Sequence, residues 1–412
     1  MTDRHAEHWK GRHYDAYHIA GPVSFLNPTA RLHSIAKPAT PDEKPGAASS
    51  SSSNSGDPVY AVWRSRDNRK GRHAVAIAPS AVNANAGVAL AAPAKSTSTW
   101  PAIVQGIARM VLRYPVWDVS YDVAVVFTLG SIVWVINGFF VLVPAVDPAA
   151  SFSGESTWGG GVSAVVGATI FEVGSVLLML EAVNENRSEC FGWAVERSAD
   201  DLLTLTQDKS RCRHHHVEKS HDGDVGAKTT KDGKGSRTWT WCPSWYELKT
   251  HYFRDIGFLA CFFQMLGATV FWISGFTGLP QILSVLSVPA TDGIYWLPQV
   301  IGGSGFIISS WLFMLETQKK WYLPAPTVLG WHMGFWNLVG ALGFTFCGAF
   351  GFASSNDVYD MAAIWSTFIG SWAFLIGSVV QWYESLDKYP VIVDNTTSAA
   401  SQLTPDKTNA DV

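Results

Sequence analysis

Gly370-Ser-Trp-Ala-Phe-Leu-Ile-Gly377-Ser-Val-Val-Gln-Trp-Tyr-Glu384 closes a long apolar run near the C-terminus of this 412-residue chain. The chain writes the pattern three times. Gly167, Gly174 and Glu181 keep the same spacing, and so do Gly302, Ser309 and Glu316. Each copy ends an apolar run with a carboxylate, and each is preceded by another apolar run carrying a glycine pair eight apart. Those pairs are Gly130 and Gly138, Gly267 and Gly275, Gly340 and Gly348. A ladder that recurs in both helices of every copy reads as an internal repeat.

The apolar runs are long enough for lipid. Six stretches, at about 121 to 144, 160 to 182, 256 to 278, 295 to 316, 328 to 351 and 361 to 383, approach the roughly 20 residues that a bilayer core requires. A composition of 47% hydrophobic and 16% charged residues, with 19 tryptophans, fits that environment. The expected fold is an all-α membrane protein with six transmembrane helices arranged as three repeated helical hairpins. Two spans per copy insert every copy the same way, which predicts a pseudo-threefold axis along the membrane normal.

The domain plan follows. Residues 1–99, His-rich, then Pro-rich, then serine-rich, are expected to form a disordered cytosolic tail. Pro101 and the helical spacing of Ile103, Val104, Ile107, Met110 and Val111 predict a juxtamembrane amphipathic helix over 100–116. Hairpin repeats occupy 117–183, 253–318 and 327–386. A polar cytosolic loop fills 184–252, and 387–412 is a cytosolic C-terminal tail. All 30 lysines and arginines fall before the first span, after an even span or in the C-terminal tail. The positive-inside bias therefore places both termini in the cytosol, and the organelle, plasma membrane or endomembrane, is left open. That orientation leaves the acceptor patterns at Asn186 and Asn395 unglycosylated.

Seven residues make nearly two helical turns, so the small residues of each even helix share one face. Gly130, Gly138, Gly167, Gly174, Gly267, Gly275, Gly302, Ser309, Gly340, Gly348, Gly370 and Gly377 are read as helix-packing positions, since small residues let backbones approach in lipid.

Carboxylates carry the functional candidates. Glu181, Glu316 and Glu384 sit at helix C-termini, where the macrodipole disfavours them, so something must offset their charge. Lys320 and Lys388, each four residues on, suit local ion pairs with Glu316 and Glu384. The other reading is a carboxylate cluster at a cytosolic mouth that binds or filters cations. Glu172 lies nine residues before Glu181, about 13 Å into the membrane at a helical rise. An intramembrane carboxylate is costly unless protonated or paired, which makes Glu172 a candidate proton or cation site with Gln264, His332 and Asn337 as possible partners. A neutral carboxyl hydrogen-bonded to a neighbouring helix is the plainer alternative.

Cys212 and His214, His215, His216 and His221 have ligand chemistry but no second spaced pair, and a solvated loop is the expectation. No P-loop, nucleophile elbow or metalloprotease helix occurs, so neither an enzyme nor a cofactor nor a metal is expected. The expected partner is the lipid bilayer, with no nucleic acid, because the loop's basic residues are interleaved with acids. Protein partners of the cytosolic tails are left unassigned.

Leu129-Gly130-Ser131 of an odd helix, followed by Gly174-Ser175 or Gly377-Ser378 of an even one, resembles the small YrhK-like membrane domain, a two-helix hairpin. The whole chain resembles uncharacterised multi-pass membrane proteins of filamentous fungi. The resemblance implies a fold and carries no activity. Two functions remain: a non-catalytic structural or scaffold membrane protein, or a proton- or cation-coupled transporter or channel using Glu172.

Overall fold

The computed structural model describes residues 19–34, 59–77, 98–200 and 239–393. Six helical segments are long and apolar enough to cross a membrane: Val119–Val146, Glu155–Val183, Ile256–Thr277, Val288–Thr317, Leu329–Gly351 and Asp357–Ser385. They match the six expected runs, four with longer ends and two, Ile256–Thr277 and Leu329–Gly351, shorter by one residue. The chain elements used below are β1 (Ile19–Ala20), β2 (Ala30–Ser34), β3 (Val59–Arg64), α1 (Ser65–Arg69), β4 (Ala74–Ile77) and α2 (Trp100–Leu112). The spanning helices are α3 (Val119–Val146), α4 (Gly161–Val183), α5 (Ile256–Thr277), α6 (Leu297–Thr317), α7 (Leu329–Gly351) and α8 (Asp357–Ser385), and β5 is Val391–Val393.

Side chains fix where several spans begin. Asp118 Oδ1 accepts from Ser120 N at 3.0 Å at the start of α3, and Asp255 Oδ1 from Phe258 N at 2.9 Å at the start of α5. Asn356 does the same for α8, accepting from Val358 N at 3.0 Å. Each satisfies an otherwise orphaned helix N–H.

Every spanning helix packs on its neighbours in sequence, and α8 returns to pack on α3, so the six close into a ring. Small residues govern how near they come. A Cβ on Gly302 would lie 2.7 Å from the carbonyl oxygen of Gly267, and one on Gly267 would lie 2.8 Å from that of Gly302, so α5 and α6 touch backbone to backbone. The other packing positions meet neighbouring side chains or backbone: Gly130 faces Phe171, Gly138 faces Phe368, Gly167 faces Trp134, and Gly174 faces Phe127. Gly275 faces Ala168, Gly340 faces Phe374, Gly348 faces Gln299, Gly370 faces Gly340, and Gly377 faces Asn337. Ser309 is fully buried. The outward surface is apolar too, with Leu129, Ile136, Val173, Ile273, Ile308 and Phe346 all exposed, as expected of helices facing lipid.

The centre of the ring is filled with aromatic side chains. Trp134, Phe171, Phe271, Phe306, Phe344 and Phe374, one from each spanning helix, are all buried. Each lies four residues after a packing glycine: Gly130, Gly167, Gly267, Gly302, Gly340 or Gly370. Trp134 meets Phe344 edge-on at 4.8 Å and Phe271 at 5.7 Å, while Phe374 meets Phe171, Phe306 and Phe344 at 5.5, 6.2 and 5.4 Å. These separations and mostly edge-to-face angles are the preferred aromatic geometries.

The tail corrects the sequence reading. Residues 19–34 and 59–77, within the stretch expected to be disordered, fold into strands β1 to β4 and helix α1. The sheet runs β1-β2-β3-β4-β5, antiparallel except for the parallel pairing of β4 with β5, where Ala76 stands opposite Ile392. The fold is therefore not all-α, and the C-terminal tail contributes a strand. Alternation in Val59-Tyr-Ala-Val-Trp63 is short and sits among serine- and alanine-rich sequence, and composition hid it. The loop after α4 is also partly structured, with helices Phe191–Asp200 and Trp245–Thr250, the second closed by a Ser244/Glu247 capping box. The cysteine- and histidine-rich segment of that loop lies outside the described residues, as does Asn395. Asn186 is described, and its N–H donates to the carbonyl of Asn68 at 2.7 Å. The amphipathic α2 begins at Trp100 as expected but ends at Leu112, short of the expected 116, and rests Gly106 against Tyr383 of α8, leaving Trp100, Val104, Ile107 and Val111 exposed.

Candidate functional site: a basic helix seated among three carboxylates

The three repeated glutamates converge. Glu181, Glu316 and Glu384 are all buried at the ends of α4, α6 and α8, and α1 sits among them. Arg69 bridges two helices, its Nε donating to Glu181 Oε1 at 3.1 Å and its Nη2 to Glu316 Oε2 at 3.0 Å. Arg66 holds the third, with Nε 3.1 Å from Glu384 Oε1 and Nη2 2.5 Å from Oε2. Arg72 Nη1 adds a bond to Glu384 Oε1 at 3.0 Å and another to Asp67 at 2.7 Å. Lys70 Nζ lies 3.8 Å from Glu181 Oε2.

This arrangement answers what offsets the charges at the helix ends. Guanidinium groups suit the task, since their planar fork meets a carboxylate two bonds at a time and stays charged when buried. The expected local pairs are not the ones formed. Lys388 pairs with Asp118 at 2.5 Å instead of Glu384, and Lys320 lies over the Tyr322 ring at 5.8 Å instead of reaching Glu316. The chain turns away after each even helix, which carries those lysines off the helical face that the spacing presumed.

Gly71 makes the insertion possible. Its φ of 62° is left-handed, ending α1 sharply so that the chain can return as β4. A Cβ there would also collide with Ser188 Oγ. Gly257, in the first turn of α5, leaves the space that Arg69 and Glu316 fill.

Burial and neighbours act on the cations in opposite directions. Burial pushes Arg66 down, but the Glu384 carboxylate outweighs it and leaves the guanidinium above its ordinary value. Burial also dominates at Arg69 before Glu316 and Glu181 raise it well above. For Lys70 burial wins, and the ammonium is lowered despite Glu181.

A cavity of about 20 Å³, room for about one water, lies beneath α1. Arg66, Arg69 and Lys70 line one side, and Gln264, Asn337, Ser378 and Gln381 are among its walls, with Phe171 and Phe374 of the aromatic layer also lining it. Among the described residues, the buried Arg66 Nη1 and Lys70 Nζ have no hydrogen-bond partner.

Glu172 stands elsewhere. It is half-buried on α4, and its Oε1 accepts from Thr269 Oγ1 of α5 at 3.0 Å, while Gln264 and Asn337 line the cavity. His332 Nε2 is 2.7 Å from the carbonyl oxygen of Pro326. The four candidates of the proposed proton or cation site are thus not brought together. Asn337 Nδ2 donates to Met333 Sδ at 3.0 Å.

Sequence reasoning missed Ser65, Arg66, Arg69, Lys70 and Arg72. The signal was available: three carboxylates at helix ends demanded cations, and five lysines and arginines between Arg64 and Arg72 form a dense basic run in the tail. Among the described residues, no group of three or more His, Cys, Asp or Glu side chains could hold a metal. No family model, curated protein or solved structure matches the chain.

Proposed function

We propose that the chain is a non-catalytic structural or scaffold membrane protein: three hairpin repeats around a pseudo-threefold axis, sealed along that axis, with a folded cytosolic cap. The observation that carries this reading is the aromatic layer, in which one buried ring from each spanning helix fills the place a conduit would need. The seated α1 adds a second closure at the end where Glu181, Glu316 and Glu384 gather. Packing of the six positions Gly130, Gly267, Gly340, Gly167, Gly302 and Gly370 supports the repeat. Both described terminal segments meet in one sheet, which agrees with two termini on the same side; the distribution of lysine and arginine favours the cytosol.

A transporter or channel is the competing reading. Its support is the polar cavity wall of Gln264, Asn337 and Gln381, not Glu172, which lies against Thr269. The test is flux of protons and monovalent cations into liposomes holding the purified full-length protein. The scaffold reading expects flux equal to that of protein-free vesicles. Flux above that of protein-free vesicles would replace it with transport, and loss of that flux in Glu172→Gln, in a variant that still folds, would put the carboxylate on the path.

A further inference from the structure

Ser65 has one hydroxyl hydrogen and two carboxyl neighbours. Its Oγ lies 3.2 Å from Asp255 Oδ2 and 3.1 Å from Glu316 Oε1. All three side chains are buried. A hydroxyl donates one hydrogen, so if both carboxyls were ionised, one contact would set a lone pair against a negative oxygen. Arg69 donates to both oxygens of Glu316, at 3.2 and 3.0 Å. Among the described residues Asp255 has no such cation at bonding distance; its Oδ1 accepts the Phe258 N–H as a helix cap.

We propose that Asp255, Ser65 and Glu316 form a buried proton-binding site, in which a proton on Asp255 Oδ2 is donated to Ser65 Oγ while the Ser65 hydrogen goes to Glu316 Oε1. The tail segment supplies the middle member, so the site is complete only when α1 is seated. When α1 leaves, the proton returns from Oδ2 to water and no other covalent bond changes. This inference holds whether or not the bundle conducts.

The surroundings favour the proton. Asp255 is raised to about 6, first by burial, then by Glu185 and Glu316, against the Phe258 N–H and Arg69. Glu185 is itself held by Asn68 Nδ2 at 2.9 Å and faces His251 at 3.5 Å. A carboxyl raised in the docked state binds more protons there than when α1 is released. Docking is therefore strongest at acid pH and weakens as pH rises through about 6.

The test uses the full-length protein in lipid bilayers, comparing infrared spectra and hydrogen exchange over 59–77 at about pH 5 and about pH 8. The expected result is a protonated-carboxyl component present at the acid pH, gone at the alkaline one, and subtracted from the spectrum by Asp255→Asn. Protection of 59–77, corrected for chemical exchange, should fall about tenfold between those pH values in the wild type and stay level in Asp255→Asn. Asparagine keeps the helix cap, so that variant is expected to fold. A wild type without the band, a band undiminished in Asp255→Asn, or an unchanged pH dependence in that variant would overturn the proposal, the last pointing to Glu185 and His251. Ser65→Ala gives a second check: its band should shift, because Oδ2–H has lost its acceptor, and an unshifted band would refute the bridge.

Discussion

Lys388 Nζ sits 2.5 Å from Asp118 Oδ2, tying a residue three positions past the last spanning helix to the residue that caps the first. Both side chains are nearly buried, and Lys388 also donates to the carbonyl of Lys70 at 2.7 Å. Removing one member of such a pair strands the other charge, which typically costs about 3 to 5 kcal/mol. Lys388→Met is expected to lower stability on that scale, and adding Asp118→Asn should recover much of the loss. Thermal or denaturant unfolding in detergent measures both, and a fully additive double variant would contradict the pairing.

Arg69 is the cation shared by α4 and α6. Arg69→Gln leaves Glu181 with Lys70 at 3.8 Å and Glu316 with no guanidinium, so α1 should undock at a cost of about 3 to 5 kcal/mol. Limited proteolysis reports this directly. Cleavage within 59–77 should rise sharply while the spanning helices stay protected, and unchanged cleavage would mean that the contacts are incidental.

A methyl group at position 257 would meet Arg69 and Glu316 at once. Gly257→Ala is expected to destabilise by about 1 to 3 kcal/mol, the usual cost of overpacking. Gly293 has open space around the same added atom, so Gly293→Ala is expected to stay within about 0.5 kcal/mol of wild type. Melting curves of the pair separate steric collision from loss of glycine as such.

Phe344 touches Trp134, Phe271 and Phe374 at the centre of the ring. Phe344→Ala should cost about 3 to 5 kcal/mol, the range for deleting a buried aromatic ring. Glu172→Gln should cost less than about 1 kcal/mol, since glutamine can still accept from Thr269. An equal cost for both would remove the aromatic layer from its place as the organising contact.

The spans were legible because lipid imposes a long apolar run on each of them, and the packing glycines because close helices allow little else. Glu181, Glu316 and Glu384 were legible as carboxylates needing an offset. Their actual partners were not, because Arg66 and Arg69 lie more than a hundred residues away in sequence and in a stretch whose composition resembles disorder. Proximity in sequence favoured Lys320 and Lys388, and helical spacing says nothing once the helix has ended. Glu172 misled for a related reason. Depth along a helix can be read from residue counts, but the direction in which a side chain faces depends on neighbours that the count does not contain.

The sheet joins β4, near the beginning of the chain, to β5, near its end. A ribosome has made Arg66 and Arg69 long before Glu384 exists. During synthesis the basic helix must wait, first with one of its carboxylates available, then with two, and it gains the third only after the final span has been threaded. The cap is thus completed last: a chain truncated before α8 keeps Arg66 without Glu384 and β4 without β5, which leaves a guanidinium unpaired and a strand edge open.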